Sequence, residues 1–343
     1  MSSGAGIRSI SGSELEALLL TEWATIADAT AVLDKGNAGI AILCDAAGAP
    51  KSLVDDAALR TAALRGMSTS DAVSKLPLEA VEILTDAAAK PAGACAIVVK
   101  DGKPVEARLA KSSKPTGTFA LVLAGGLGSR LGALTETTPK PLIPIAGKPL
   151  LDHVLRYLSK QGIVDVTIAT NYRAQQIEDF AGCGARYGLR VKYLRESQRM
   201  GTAGALSLLD PIPKEPFFIV NADVLTRLDL RAMSRQQQRS GAAIVMAVAP
   251  HVVESPYGVA KLAESRVVDL AEKPRYHHWV NAGLYIVEPR VAEAVPRNSF
   301  VDMTTMIDKW IQRGEHVEAF PIREYWRDAG TPEDVARANE ELR

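Results

Sequence analysis

The larger, C-terminal part of the sequence predicts a doubly wound, mostly parallel α/β sheet, and a smaller α/β domain precedes it. Two apolar strand-like runs, at 164–170 and 190–193, alternate with helix-periodic segments at 150–161 and 174–180. Phe119–Leu123 is a short apolar run, typical of a central strand buried on both faces. Because ligands of such sheets bind at the carboxyl ends of strands, the residues that follow each strand are candidate site residues.

A glycine-rich loop follows the first of these strands. Without side chains, its backbone can pass close to a ligand and direct N–H groups toward an anion such as phosphate. A Walker loop would need Gly-Lys-Ser/Thr, and a dinucleotide fingerprint would need G-x-G-x-x-G, whereas Gly126, Gly128 and Gly132 are spaced one residue too far. The candidate anion-binding residues are Leu123, Ala124, Gly125, Gly126 and Gly128.

Two cations follow the loop at short intervals. Arg130 comes directly after it, and Lys140 lies in TPKPL, where Pro139, Pro141 and Pro144 stiffen the backbone. Fixed cations beside a phosphate-binding loop suit triphosphate chemistry. Asp223 ends the apolar run 217–220 and so stands at a strand tip, a position that suits a metal ligand, although acids there also serve as helix caps or turn residues.

Composition excludes some broad classes of function. The 343 residues suggest two domains, and Lys plus Arg equals Asp plus Glu at 40 each, so no general charge bias indicates nucleic acid or an anionic membrane. No apolar run approaches the roughly 18 residues of a membrane span, and the N-terminus lacks a signal-peptide pattern, so we expect a cytoplasmic protein. The three widely spaced cysteines fit neither a disulfide framework nor a zinc site.

The first domain is predicted at 1–110, with a linker at 111–117 and the larger domain at 118–343. Its first half reads as helix 25–33, strand 39–44, a turn at 45–48 and helix 55–64. A partial repeat of this pattern follows, with a helix at 78–90, a strand at 94–99 and a turn at Asp101 and Gly102.

Several motifs together resemble the sugar-1-phosphate nucleotidyltransferases. They are LAGGLGSRL (with Ser129 where Thr is usual), TPKPLIP, GTAGAL from Gly201, NAD from Asn221, EKP from Glu272, VNAGLY from Val280 and EYWRDAG from Glu324. The arrangement is most similar to bacterial guanylyltransferases that activate amino-sugar, heptose or mannose 1-phosphates and carry a CBS-domain pair in front. The resemblance implies a Rossmann-like nucleotidyltransferase sheet behind a CBS-type domain whose second copy is abbreviated.

The resemblance also assigns roles to residues. It implies catalysis by Arg130, Lys140 and Asp223, and a Mg²⁺ ion held by Asp223 and Asp328 with substrate phosphates completing the shell. The nucleotide would contact the glycine loop and Asn171, Gly201 and Thr202. The sugar phosphate would contact Tyr257, Gly258, Glu272, Lys273, Asn281 and Gly283.

The implied reaction is attack of a sugar 1-phosphate on the α-phosphorus of an NTP, with release of pyrophosphate. The sequence is most similar to enzymes that use GTP, and the nucleotide sugar formed would serve surface glycan synthesis. Uridylyl, thymidylyl or cytidylyl transfer remains an alternative, and so does a regulator that binds nucleotide sugars without making them. The partners implied are NTP and sugar 1-phosphate, in a homo-oligomer without nucleic acid or membrane. The CBS ribose pattern, Ser/Thr-x-x-Asp, is replaced by Asp55 and Ala58, which favours a dimerisation or spacer module over a nucleotide site.

Overall fold

The computed structural model of the chain describes residues 7–36, 38–86, 89–91, 95–110 and 118–343. The chain divides into two compact units, residues 1–115 and 116–343. The predicted linker, 111–117, lies outside the described residues. None of the helices within the described ranges is long and apolar enough to cross a membrane.

The N-terminal unit is built from two small sheets. One has the order β2-β3-β4 and the other β1-β7-β6-β5, and in each a parallel pair is followed by an antiparallel hairpin. Its elements are β1 (Ile7–Ser11), α1 (Ser13–Glu16), β2 (Leu19–Thr21), α2 (Ile26–Lys35), β3 (Ile40–Cys44), β4 (Pro50–Asp55), α3 (Asp56–Leu64), β5 (Glu82–Leu84), β6 (Cys95–Lys100) and β7 (Lys103–Ala110).

Local sequence explains most of this unit. Thr25 closes a capping box with Asp28 at the start of α2, and the Asp55 carboxylate accepts the Ala58 N–H at 2.9 Å as the N-cap of α3. The helix predicted at 78–90 is wrong, because the described part of that segment holds β5, which pairs in parallel with β6. Its apolar spacing fits either element, and pairing with a neighbouring strand decides.

The second unit contains the larger sheet. Its elements are β8 (Phe119–Leu123), β9 (Pro144–Ile145), β10 (Lys148–Pro149), α4 (Leu150–Lys160), β11 (Asp165–Thr170), α5 (Ala174–Ala181), β12 (Arg190–Arg195), α6 (Gly201–Gly204), β13 (Phe217–Asn221), β14 (Val224–Thr226), α7 (Leu230–Ser240), β15 (Ile244–Glu254), β16 (Val259–Ala263), β17 (Arg266–Ala271), β18 (Arg275–Val287), α8 (Pro289–Glu293), α9 (Met303–Gln312), β19 (Val317–Pro321), β20 (Trp326–Asp328) and α10 (Pro332–Glu341).

Seven strands form the main sheet in the order β12-β11-β8-β13-β18-β15-β19. β8 is central and parallel to both neighbours, whereas β18 runs antiparallel to β13 and β15. Side chains of β8 are buried on both faces, with Ala120 and Val122 in one core cluster and Leu121 in the other. The predicted doubly wound, mostly parallel sheet is confirmed.

Two extensions leave the main sheet. β14 and β20 form a short antiparallel ribbon in which Val224 pairs with Asp328 and Thr226 with Trp326. Residues 250–280, here called the arm, comprise the distal halves of β15 and β18 and the β16–β17 hairpin, and almost all of its side chains are exposed or half-buried. The ribbon and the arm decide where the predicted site residues lie.

Candidate active site

A cavity of about 260 Å³ opens at the carboxyl ends of β8 and β13. This is the edge of the sheet at which doubly wound folds bind ligands. Its walls come from the glycine loop, the Lys140 segment, the end of β13, α6 and the residues before α9. The lining residues are Leu123, Ala124, Gly125, Gly126, Lys140, Pro141, Glu196, Arg199, Met200, Gly201, Thr202, Asn221, Ala222, Asp223, Phe300 and Asp302.

Close packing around Gly128 shapes the glycine loop. Gly128 has φ +67°, and a side chain there would begin 2.8 Å from Thr135 Cγ2 and 3.1 Å from Lys140 Cβ. Gly125 faces the other way, since a Cβ on it would lie 3.3 Å from Asn171 Cβ. Gly128 and Asn171 therefore lie behind the lining and support the residues that form it.

The Lys140 side chain lies close to two of the predicted acidic site residues at the cavity. Its side chain is buried, and its Nζ lies 2.5 Å from Asp223 Oδ2 and 3.8 Å from Asp328 Oδ1. The β14–β20 ribbon makes this convergence, because Asp223 directly precedes β14 and Asp328 ends β20. The three charged side chains predicted to act together are thus brought together by the structure.

The two carboxylates carry more negative charge than Lys140 neutralises. Asp223 Oδ1 and Asp328 Oδ1 are buried and have no hydrogen-bond partner among the described residues. Burial and the nearby charge of Asp223 raise the pKa of Asp328 to about 6, against the opposing effects of Lys140 and Arg130. Two carboxylate oxygens that accept no hydrogen bond, in a pair of neighbouring negative charges, are a donor set suited to Mg²⁺.

Arg130 lies next to this pair but outside the cavity lining. A side chain on Gly330 would begin 3.4 Å from both terminal nitrogens of Arg130 and 3.0 Å from Asp328 Oδ2. The guanidinium is exposed and is placed at the Asp328 side of the site. It is therefore available to an anion that extends from the cavity toward solvent.

The GTAG segment forms the opposite wall. Gly201 has φ +75°, and a Cβ on it would lie 2.5 Å from the Val301 carbonyl oxygen. Thr202 is held by the residue that directly precedes α9, since its N–H and hydroxyl donate to Asp302 Oδ1 at 3.2 and 3.4 Å. The backbone of this wall is therefore fixed by the 300–302 segment.

Four further polar lining residues were not among the predicted site residues, namely Glu196, Arg199, Asn221 and Asp302. Glu196 directly follows β12, so the expectation that ligands bind at the carboxyl ends of strands could have identified it. Burial raises its pKa, although its Oε2 accepts the Met200 N–H at 3.3 Å. Asn221 ends β13 with a buried, unpartnered Oδ1. Nothing local marks Asp302 as a site residue, because an acid before a helix is usually read as a cap.

The six predicted sugar-phosphate residues do not line the cavity. Tyr257, Gly258, Glu272 and Lys273 lie on the exposed arm, and the Tyr257 side chain is 75% exposed. Asn281 instead accepts hydrogen bonds from the Gly283 N–H and the Tyr285 hydroxyl. Their assigned roles remain predictions.

Fold and site together define an α/β protein with a glycine loop, an acidic pair and a lysine at the carboxyl edge of its sheet. The family model described as Nucleotidyl transferase matches residues 119–343. The chain belongs to the nucleotidyl transferase family.

Individual relatives add detail. The mannose-1-phosphate guanyltransferase of Yarrowia lipolytica is 31% identical over 223 residues, which cover 62% of this chain and 61% of the relative. Several such relatives are thus spanned over only about three fifths of their length. The D-glycero-alpha-D-manno-heptose 1-phosphate guanylyltransferase of Aneurinibacillus thermoaerophilus is 31% identical over 228 residues, covering 65% of this chain and 97% of the relative.

Solved structures show the same fold. HddC from Yersinia pseudotuberculosis superimposes with a TM-score of 0.53 at 26% identity, covering 66% of this chain and 99% of that one. The same protein complexed with GMP-PN gives a TM-score of 0.52 at 25% identity, with the same coverage. The range matched by the family model, 119–343, lies within the second unit.

Proposed function

We propose that this protein is a sugar-1-phosphate nucleotidyltransferase that transfers GMP from GTP to a sugar 1-phosphate of the mannose, heptose or amino-sugar type. The observation that carries the proposal is the convergence of Lys140, Asp223 and Asp328 beside the glycine loop. Relatives named as guanylyltransferases of mannose 1-phosphate and heptose 1-phosphate support the same reaction.

The chemistry needs positioning and charge neutralisation more than proton transfer. A phosphate oxygen of the sugar 1-phosphate attacks the α-phosphorus in line, the bond to the bridging oxygen breaks, and pyrophosphate leaves. The nucleophile is already ionised, so no general base is needed. In this proposal the glycine-loop N–H groups and Lys140 hold the phosphates, and Arg130 stabilises the departing pyrophosphate.

Asp223 and Asp328 would hold Mg²⁺ through their unpartnered oxygens. A bound Mg²⁺ would neutralise charge on the substrate phosphates, which would complete its coordination. Before substrate arrives, Lys140 and Arg130 would offset the repulsion between the acids, and incoming phosphates would then compete for the Lys140 ammonium.

Glu196 favours guanine as the base. It lines the cavity next to Gly125, a residue of the loop that the resemblance assigns to the nucleotide. A carboxylate presents acceptors, and guanine offers N1–H and N2–H donors on one edge, whereas uracil and thymine offer a single N–H there. A buried acceptor that meets too few donors is costly, so this residue would select for guanine.

The reaction is tested by pyrophosphate release from each of the four NTPs with a panel of mannose, heptose, glucosamine and glucose 1-phosphates. We expect release with GTP and at least one acceptor, dependent on both substrates. Activity with another NTP only would replace guanylyl transfer by one of the alternatives. No release from any combination would leave a nucleotide-sugar-binding regulator as the better hypothesis.

For the N-terminal unit we propose a CBS-type module that assembles or spaces the enzyme in a cytoplasmic homo-oligomer serving surface glycan synthesis. Its two sheets repeat the same strand pattern, which supports an internal duplication. Asp55 is used as a helix cap, which argues against a ribose site there. A chain that begins near Ser113 should keep its kcat, and AMP or ATP should not change the kinetic constants of the full-length enzyme. A several-fold shift in KM with AMP that disappears on truncation would contradict this proposal.

A further inference from the structure

Two histidines face each other across neighbouring strands near the base of the arm, where it leaves the main sheet. β15 and β18 run antiparallel, and His251 of β15 lies directly opposite His278 of β18. Side chains at directly opposed positions of an antiparallel pair point to the same face of the sheet, with their Cβ atoms about 4.5–5.5 Å apart. The two imidazole rings are therefore neighbours, although they are far apart in the sequence.

This histidine pair stands where its face of the sheet passes from core to solvent. On the inner side the next opposed residues on that face are Ala249, which is buried, and Val280, which packs against the core. On the outer side they are Val253 and Tyr276, whose side chains are 45% and 43% exposed. Both histidines are exposed, so dissolved ions can reach them, while the strands that carry them are fixed in the main sheet at one end.

Neither ring is occupied by another contact. Within the part of the chain that the structure describes, His251 and His278 make no hydrogen bond and no ion pair. The adjacent side chains on the same face of these two strands are uncharged. The nearest charged pair along the strands, Glu254 and Arg275, belongs to the opposite face by strand alternation, and its two members bind each other at 3.0 Å. The ring nitrogens are therefore available to an external ligand.

We propose that His251 and His278 bind a divalent transition metal ion such as Zn²⁺, each through one ring nitrogen. Imidazole is a preferred ligand of Zn²⁺, with Zn–N distances of about 2.0–2.1 Å, so a tetrahedral ion would bring the two nitrogens to about 3.3 Å from each other. Exposed side chains on neighbouring Cβ atoms reach such a spacing by changing rotamer. No third His, Cys, Asp or Glu of the described residues joins the pair, so water completes the shell.

This site differs from the acidic pair in its place and in its ligand chemistry. Asp223 and Asp328 offer carboxylate oxygens beside the cavity, which suit Mg²⁺, whereas imidazole nitrogens suit Zn²⁺, Cu²⁺ and Ni²⁺. An ion bound by the histidine pair would join β15 to β18 at the point where the arm begins. It would thereby act as a cross-link between the two strands that carry the rest of the arm.

The test is equilibrium dialysis of the untagged full chain against Zn²⁺ at about pH 7.5, where free imidazole is mostly neutral. Excess Mg²⁺ is present, because it occupies carboxylate sites without competing for imidazole. The variants His251→Gln and His278→Gln each remove one proposed ligand. The matched control is His277→Gln, which makes the same change at the adjacent residue, on the opposite face of β18.

We expect wild type and the His277→Gln control to bind one Zn²⁺ ion per chain at least about tenfold more tightly than either His251→Gln or His278→Gln. The exposed thiol of Cys183 is present in all four proteins, so Zn²⁺ that it binds cancels in the comparison. Substrates are absent, and the result is therefore independent of the proposed reaction.

Equal Zn²⁺ affinity in all four proteins would overturn the proposal. A loss in only one of the two variants would also overturn it, because a single imidazole would then account for the binding. An equal loss in the His277→Gln control would have the same consequence, since any exposed histidine would then serve as well as the opposed pair.

Discussion

Replacing either aspartate of the acidic pair by asparagine tests the centre of the proposed site. Asp223→Asn and Asp328→Asn keep the shape of the side chain and remove the charge that would hold Mg²⁺. Loss of one positioned charge at a phosphoryl centre should lower kcat by at least about 10²-fold, which corresponds to about 2.7 kcal/mol of transition-state stabilisation. The fold should persist, because both aspartates are half-buried and removing one of two repelling charges relieves their repulsion.

The double variant sharpens this prediction. If the two acids hold one ion, Asp223→Asn with Asp328→Asn should lose little more than either single variant, whereas independent roles would multiply the losses to about 10⁴-fold. Turnover is measured as pyrophosphate release at saturating Mg²⁺ and substrates, with Asp308→Asn on α9 as a charge-matched control. Near wild-type turnover of either single variant, or fully multiplicative losses, would refute a shared metal site.

Three other predictions concern two residues of the cavity lining and one residue of the arm. Gly201→Ala should destabilise the protein by about 3 kcal/mol in urea unfolding, because the new Cβ clashes with the Val301 carbonyl and the backbone there is left-handed. The control is Gly241→Ala, where φ is +63° and the space is open, and it should cost about 1 kcal/mol. Lys273→Ala should raise KM for the sugar 1-phosphate by about ten- to a hundredfold and leave KM for GTP unchanged, with Lys261→Ala on the same arm as control; an unchanged sugar-phosphate KM would make Lys273 a surface residue. Burial raises the pKa of Glu196, so the folded chain binds that proton more tightly than the unfolded chain, and the contribution of Glu196 to stability should fall as pH rises above 4.5. The difference in unfolding free energy between wild type and Glu196→Gln should therefore change with pH in that direction, and a difference that does not vary with pH would contradict the assignment.

The sequence was most informative where local pattern and tertiary position coincide. Phe119–Leu123 is apolar throughout and is followed at once by glycines, and the structure has β8 with the same bounds and its loop at the cavity. Lys140 could be placed beside Asp223 only through the family motifs, because 83 residues separate them. The β14–β20 ribbon that brings Asp328 to them leaves no periodic signal, since each strand has three residues.

Elsewhere long-range contacts outweighed local pattern. Apolar residues in the 78–90 segment have helical spacing, yet β5 forms because β6 offers an edge for pairing. Phe300 and Asp302 enter the cavity because the Ala203 N–H donates to the Val301 carbonyl oxygen and the Val301 N–H donates to the Met200 carbonyl oxygen. These bonds join parts of the chain about a hundred residues apart. The arm is exposed because β15 and β18 extend beyond the sheet. The length of that extension could not be predicted from composition.

The ribbon also separates the parts of the proposed site along the chain. Every strand of the seven-stranded sheet precedes β20, so a chain that stops just before Asp328 still contains all seven strands. Such a shortened chain would keep the glycine loop, Lys140 and Asp223 and lack the second carboxylate. If Asp328 acts only through the metal, the shortened chain should retain nucleotide binding and lose turnover.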